Sequence, residues 1–372
     1  MKFSEYKSGK TRSIDGVDCF VPNLLGDLNT FDDSSINLLQ SKASWHLGKL
    51  NALSNYLPAT KLFYSMLMFE EAKKSNEIEG TKSELNGIPV KSSTNQPEDL
   101  LVMNYMDAYD YGVDYLKEND FTIELISELH SKLFHGVNDP LLNAGKYKNR
   151  QNWIGGTSKL DARFIPSPPE EVTILMQDLV DFINEDNSDF SDLVKIGIVH
   201  YQFETIHPFN DGNGRLGRLI IGLYLIKKGI IEHPLFISNF LAKNRSVYYF
   251  NLDSVRYKND MEHWIKFFLT AIKEASQETL SIIENVMKFK DEMEDKIRGE
   301  FKGSSENPIK VLRMLFEHPL ITANSCKKEL NFSSATANSI LTKLESINVI
   351  KEITKQKRNR IYVFEDYLKI FN

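Results

Sequence analysis

The sequence predicts a mainly α-helical protein that ends in a small α+β winged helix-turn-helix domain. Three observations carry this. Apolar residues recur at helical spacing through most of residues 36–300. Strand-like runs are confined to 151–172 and to the last stretch of the chain. Between the two parts, Gly303, Ser304, Ser305 and Pro308 form a break.

Taken in order, residues 1–35 are polar with Gly and Pro and read as an extended arm. Ile36, Leu39, Trp45, Leu47, Leu50 and Leu53 mark a helix stopped at Pro58. A second amphipathic helix fills 60–79 and stops at Gly80, because glycine adopts the left-handed turn that ends helices. Helices follow at 97–118, 121–135 and 169–185, the last opened by Pro168 and Pro169, where a missing N–H costs little. Between them, QNWIGGTSKLDARFIPSPPEEV at 151–172 places two short apolar pairs around a Gly-containing segment, a β-hairpin pattern. Residues 192–206 and 215–227 are apolar on nearly every side and read as buried central helices. Helices at 241–257 and 260–274 precede a charged one at 276–300. Three short helices (308–317, 322–330, 334–346) and the runs VIKEIT and RIYVF around KQKRN complete the winged-helix pattern. The expected organisation is an N-terminal helical region at 1–110, a core at 111–275, a linking helix at 276–303 and the winged helix at 304–372.

Composition bounds the function classes. Net charge is −6, which excludes a protein that coats nucleic acid by charge alone. Residues 308–372 carry +5, so the last domain is a basic module on an acidic body. An anionic partner and a merely basic surface both fit that asymmetry. The only cysteines, Cys19 and Cys326, lie far apart with no CxxC pair, which favours a reducing compartment. No signal-peptide core or membrane-length apolar run stands in the sequence, so a cytoplasmic protein without membrane contact is expected.

The chemistry concentrates in HPFNDGNGRLGR, residues 207–218. Glycines at 212 and 214 permit close backbone approach, and the loop runs into a helix whose first N–H groups attract anions. Arg215 and Arg218, three residues apart on that helix, suit a polyphosphate. Asp211 beside this cradle would repel phosphate unless a cation such as Mg²⁺ lies between. His207 is a candidate general base.

This stretch resembles the signature of Fic-domain proteins, H-x-F-x-[D/E]-G-N-G-R-x-x-R, at every specified position: His207, Phe209, Asp211, Gly212, Asn213, Gly214, Arg215 and Arg218. The resemblance spans roughly residues 35–275. It implies the Fic fold, a helical bundle with a β-hairpin flap. It also implies transfer of AMP from ATP to a Ser, Thr or Tyr hydroxyl of a protein target, or of the protein itself, with release of pyrophosphate. His207 would be the catalytic base and Asp211 the Mg²⁺ ligand. The ATP site would run through Gly212, Asn213, Gly214, Arg215, Leu216, Gly217 and Arg218, with Asn213 on the α-phosphate and Arg218 on the γ-phosphate. Gly214, where a phosphate-transferring subgroup carries lysine, favours AMP transfer. Asn152, Trp153, Ile154 and Gly155 resemble the flap that holds a target by strand addition. Tyr248 and Tyr249 resemble residues near the adenine.

SNEIEG, residues 75–80, matches the inhibitory motif of one Fic subgroup. Ser75 and Glu79 share a helix face. The resemblance pairs Glu79 with Arg218, and an arginine held by a carboxylate cannot clamp phosphate. Two rival functions stay open: removal of AMP using Glu79, and a winged-helix regulator that only senses nucleotide. Lys343, Lys355, Lys357, Arg358 and Arg360 offer the winged helix phosphate contacts, while its third helix has few long polar side chains for bases. DNA contact, recruitment of a target and a homodimer are its alternative roles. His200, inside an apolar helix, reads as a core histidine. SGKT at 8–11 is no Walker motif, since the required earlier glycine falls at Ser4.

Overall fold

The computed structural model describes residues 5–14, 16–26, 28, 34–81, 97–139, 141–186, 190–356 and 359–371. The chain divides into two compact units. One comprises Met1–Gly48, Met68–Leu85 and Val90–Ser276; the other comprises Lys49–Leu67, Asn86–Pro89 and Gln277–Asn372.

Two helices with almost no polar face organise the larger unit. In α6 (Asp192–Ile206) every residue from Leu193 onward is buried, and α7 (Asn213–Lys227) is buried through Leu225. They pack against each other, and α3 (Pro97–Leu116), α4 (Ile123–Leu133), α5 (Pro169–Asn184) and α9 (Arg245–Lys258) pack around them. A helix that is apolar all round needs such cover. Close approach is secured where side chains are missing. A Cβ on Gly112 of α3 would lie 2.5 Å from Leu223 of α7, and one on Gly197 of α6 would lie 2.9 Å from Phe268.

Other helices are α1 (Ser34–Ser54), α2 (Thr60–Ile78), α8 (Ile237–Lys243) and α10 (Met261–Glu300). Three expectations change. The N-terminal arm contains a hairpin, β1 (Gly9–Ile14) with β2 (Val17–Pro22), paired Gly9↔Pro22 to Ile14↔Val17. Its signal was Asp15-Gly16 between strand-forming residues, a strong two-residue turn. The 151–172 hairpin shrinks to one bridge, Ile154↔Phe164. The tip is instead tied by Asp161, which accepts hydrogen bonds from the backbone and hydroxyls of Thr157 and Ser158. The helix expected at 241–257 is broken at Asn244, whereas 260–274 and 276–300 form one helix of 40 residues. Nothing between them stops a helix: Ala275 and Ser276 are compatible and buried.

In the smaller unit, α11 (Glu306–Glu317), β3 (Leu320–Thr322), α12 (Ala323–Leu330), α13 (Ser334–Ser346), β4 (Lys351–Glu352), β5 (Ile361–Val363) and α14 (Glu365–Leu368) follow in order. The sheet order is β3-β5-β4, antiparallel throughout. Neither β3 nor α14 was expected. Thr322 and Ser333 cap α12 and α13, each satisfying a backbone N–H that has no partner within its helix. Phe289, Phe316, Phe364 and Tyr367 pack as an aromatic cluster. Lys357 and Arg358 lie outside the described residues. Among the described residues, no helix is long and apolar enough to cross a membrane.

The α3–α7 crossing is testable. Gly112→Val forces a branched side chain onto Leu223 and Leu129, and should lower unfolding free energy by about 1–3 kcal/mol. A urea titration should show a lower midpoint with an unchanged slope.

Candidate active site

The loop from 207 to 212 joins the two buried helices, so its backbone polar groups must find partners inside the protein. His207 ends α6 in the left-handed conformation (φ 52°, ψ 62°), and its N–H donates to Phe203 O at 2.9 Å. Such a conformation is uncommon for a side-chain-bearing residue and persists where surroundings enforce it. Phe209 is fully buried and stacks on the His130 ring at 3.9 Å between centroids. Asn213 clasps the same residue. Its Oδ1 accepts from Phe209 N at 2.9 Å, and its Nδ2 donates to Phe209 O at 2.8 Å.

Three residues outside the motif complete the frame. His130 Nδ1 accepts from Gly145 N, so the proton sits on Nε2, which donates to Asp211 O at 2.9 Å. Burial is the main reason its pKa falls to about 4, which keeps that tautomer. Lys148 donates from its backbone to Pro208 O, and from Nζ to Ile206 O and Asn152 Oδ1. Burial pushes this amine down to about 7. Asn152 Nδ2 then donates to His207 O and Phe209 O at 3.3 and 2.9 Å.

Gly212 opens α7 at φ 76°, and a Cβ there would strike the Phe134 ring. It offers no side-chain cap, so the first N–H groups of α7 meet no capping acceptor, and such a terminus favours an anion. A pocket of about 300 Å³ lies here. His207, Gly214 and Arg218 line it from the loop and α7; Glu79 lines it from the residue after α2; Ile154 and Gly155 line it from the flap; Tyr248 and Tyr249 line it from α9.

An anion already faces this corner. Glu79 Oε1 lies 2.7 Å from Arg218 Nη2, and a Cβ on Gly214 would overlap that same oxygen. Ser75 completes the hold: its Oγ accepts from Arg218 Nε at 2.9 Å and its carbonyl from Nη2 at 2.8 Å. Burial alone would lower the Arg218 pKa, but Glu79, Tyr248 and Glu204 raise it above its ordinary value, so the guanidinium stays charged. Elsewhere the cations are braced within the protein. Arg163 and Arg256 pair with Asp253, and Arg256 lies over the Phe164 ring at 3.8 Å. Burial, then Lys148 and Arg256, lower the His207 pKa to about 3, so the imidazole is neutral at physiological pH.

Several expected contacts are placed differently. Both ends of the Asn213 amide are committed to Phe209, which leaves its backbone N–H as the group facing an anion. Arg215 does not join Arg218: it is buried over the Phe134 ring at 4.6 Å and reaches Asn76 and Asp211 at 3.4 Å. Leu216 is wholly buried, and Gly217 lies against Glu204 and His200. Asn152 is a brace of the loop, leaving Trp153, 40% exposed, and Ile154 as the flap's outward groups. Tyr248 is buried with its hydroxyl 2.8 Å from His200 Nε2, which makes His200 a core histidine; Tyr249 donates to Ile78 O at 3.4 Å. Sequence reasoning missed His130, Lys148, Arg256 and Glu204. Of these only Glu204 gave a signal, as the one acid near the end of an apolar helix.

Asp211 is 60% exposed at its side chain, with Oδ1 accepting from Gly212 N. Among the described residues no group of three His, Cys, Asp or Glu could hold a metal ion. One exposed carboxylate fits Mg²⁺, which takes one or two protein carboxylates and draws its other ligands from phosphate and water.

A helical bundle that presents a histidine loop and an arginine at the head of a buried helix defines a class, and the comparisons agree. Residues 120–225 match the Fic/DOC family and residues 38–114 the Fic/DOC family N-terminal region. Protein adenylyltransferase fic-1 of Caenorhabditis elegans is 29% identical over 197 residues, 51% of this chain and 37% of that protein. Protein adenylyltransferase Fic of Drosophila melanogaster is 30% identical over 183 residues, 49% of this chain and 32% of its own length. The solved structure of a Fic family protein from Desulfovibrio desulfuricans G20 has the same fold, with a TM-score of 0.60 at 21% identity, covering 90% of this chain and 96% of that one. The chain is thus similar to the Fic/DOC family over residues 38–114 and 120–225. It spans about a third to a half of the length of the curated relatives it matches.

The Asn213 clasp generates a stability prediction. Asn213→Ala leaves the buried N–H of Phe209 without its partner, and its C=O with Asn152 alone, and should cost about 1–3 kcal/mol. Thermal unfolding measures it directly.

Proposed function

We propose that this protein is a self-restrained adenylyltransferase that moves AMP from ATP to a hydroxyl side chain of a protein target. The observation that carries this reading is the Glu79 carboxylate against Arg218 and Gly214, where the resemblance places the terminal phosphate. An anion held at that corner supports a phosphate site there. The names of the C. elegans and Drosophila relatives support the same activity.

The chain's residues divide the work. Neutral His207 accepts the proton of the target hydroxyl as its oxygen attacks the α-phosphorus; the bond to the β-phosphate oxygen breaks and pyrophosphate leaves. The first N–H groups of α7 and Arg218 orient the phosphates. Asp211 would hold Mg²⁺, which supplies charge neutralisation to the phosphates when bound. The flap edge at Trp153–Ile154 would hold the target by main-chain hydrogen bonds, a sequence-tolerant mode. While Glu79 holds Arg218, the γ-phosphate lacks its clamp and ATP sits unproductively. Glu79→Gly should therefore raise AMP transfer, self-modification included, by about tenfold or more, the equivalent of roughly 1.4 kcal/mol. Radiolabelled ATP and gel autoradiography measure this, and transfer no faster than wild type would refute the restraint. In the Glu79→Gly protein, His207→Ala should cut transfer by about 10²–10⁴ while nucleotide binding persists.

For the smaller unit we propose a winged-helix module that contacts protein, a recruited target or a second copy. The exposed face of α13 carries Ser334, Ala335, Asn338, Ser339 and Thr342, side chains too short to read base edges well, and its one long cation, Lys343, faces Glu300. A salt-sensitive gel shift of duplex DNA by the whole protein would overturn that preference.

A further inference from the structure

Glu204 has no part in the loop frame or in the hold on Arg218. It sits on α6 nearly one turn before His207, is 6% exposed, and lines the pocket. Its Oε1 makes no hydrogen bond within the protein. Buried polar atoms are seldom left so, and this one belongs to a carboxyl group on a side chain that lines the pocket. Room for it is made by Gly217, where a Cβ would lie 2.8 Å from that oxygen. The groups around it are Arg218 on α7, Glu79 after α2, Tyr248 and Arg256 on α9, and His200 and His207 on its own helix. The Arg218 Nε and Nη2 groups are turned to Ser75 and Glu79, not to Glu204 Oε1.

An ionised carboxylate at this position would face the oxygens of a bound phosphate and repel them. A neutral carboxylic acid offers an O–H donor instead. We propose that Glu204 binds the nucleotide as a neutral carboxylic acid, donating a hydrogen bond from its carboxyl group to a phosphate beside Arg218. This rests on the reading of the pocket as a triphosphate site. Burial, the largest effect, and the charge of Glu79 push the Glu204 pKa up to about 7, while Arg218 and Arg256 act the other way. A bound phosphate takes over the charge of Glu79. The ligand favours the protonated form, so affinity is full below the free protein's Glu204 pKa, which removing Glu79 lowers, and falls as pH rises through it. Burial holds the histidines His200 and His207 at about 3, and burial carries Tyr248 well above its ordinary value, so none of them titrates in this window.

The test is calorimetric binding of magnesium α,β-methylene ATP, which cannot transfer AMP, to Glu79→Gly protein from about pH 6 to pH 8.5. Kd should rise about tenfold between pH 6 and pH 8, with net proton uptake at pH 8 when buffers of different ionisation enthalpy are compared. Adding Glu204→Gln, whose amide donates at every pH, should flatten the profile and give tighter binding than its parent at pH 8. A slope unchanged by Glu204→Gln overturns the proposal. So does weaker binding of that variant at all pH values, which would mean an ionised Glu204 paired with Arg218. Absence of proton uptake in the parent overturns it without recourse to the second variant. No binding at any pH would remove the triphosphate reading itself, a result distinct from a bound but pH-independent nucleotide.

Discussion

Two helices with almost no polar surface are joined by a loop of six residues, and most of the backbone polar groups of that loop are met inside the protein. Everything characteristic of the site follows from satisfying them. Asn213 bonds both polar groups of Phe209, His130 takes the Asp211 carbonyl, and Lys148 with Asn152 takes those of Ile206, His207, Pro208 and Phe209. These bonds hold His207 left-handed and turn its ring into the pocket. The imidazole is thus aimed by the hydrogen bonds that hold the loop backbone. Burial then keeps it neutral, the form that can accept a proton.

The second layer is electrostatic. Cations gather around the pocket, but Arg163 and Arg256 share Asp253, and Arg218 is held from α2. The resting site keeps a positive balance, with Arg163, Arg218, Arg245 and Arg256 lining it against Glu79 and Asp253, and those carboxylates offset part of its anion-binding power. Glu71, on the same face of α2 two turns before Glu79, accepts from the backbone and hydroxyl of Ser238 at the start of α8. Tyr249 reaches the carbonyl of Ile78. The restraining segment is fastened to the α8–α9 corner as well as to Arg218, so its position is a property of the packed unit.

Much of this was legible in the chain. Periodicity located the two central helices because a helix apolar all round has few other readings, and residue type at fixed spacing located the loop because backbone approach and anion binding demand glycines and arginines there. What was lost was direction. Arg215 and Arg218 sit three residues apart on one helix, yet Arg215 packs over Phe134 with a long bond to Asn76, whereas Arg218 is held by Ser75 and Glu79 at the pocket. Asn213 was read as a ligand contact, but an amide near a buried turn meets backbone first. His130 is ninety degrees of reasoning away from any motif: an isolated histidine acquires its role only from the residues that the fold brings to it. The N-terminal hairpin was announced by Asp15-Gly16 and overlooked against the polar composition around it.

Gly214 has a consequence for how this protein can change. The hydrogen that stands in place of a side chain there leaves space for the Glu79 carboxylate and, by the same vacancy, for a phosphate. On the proposed function, the carboxylate that restrains the protein and the phosphate it would admit compete for one empty volume. Filling it would evict the carboxylate and close the cradle together. Substitutions at Ser75 or Glu79, or where Glu71 and Ile78 meet Ser238 and Tyr249, would loosen the hold on Arg218 without narrowing that space.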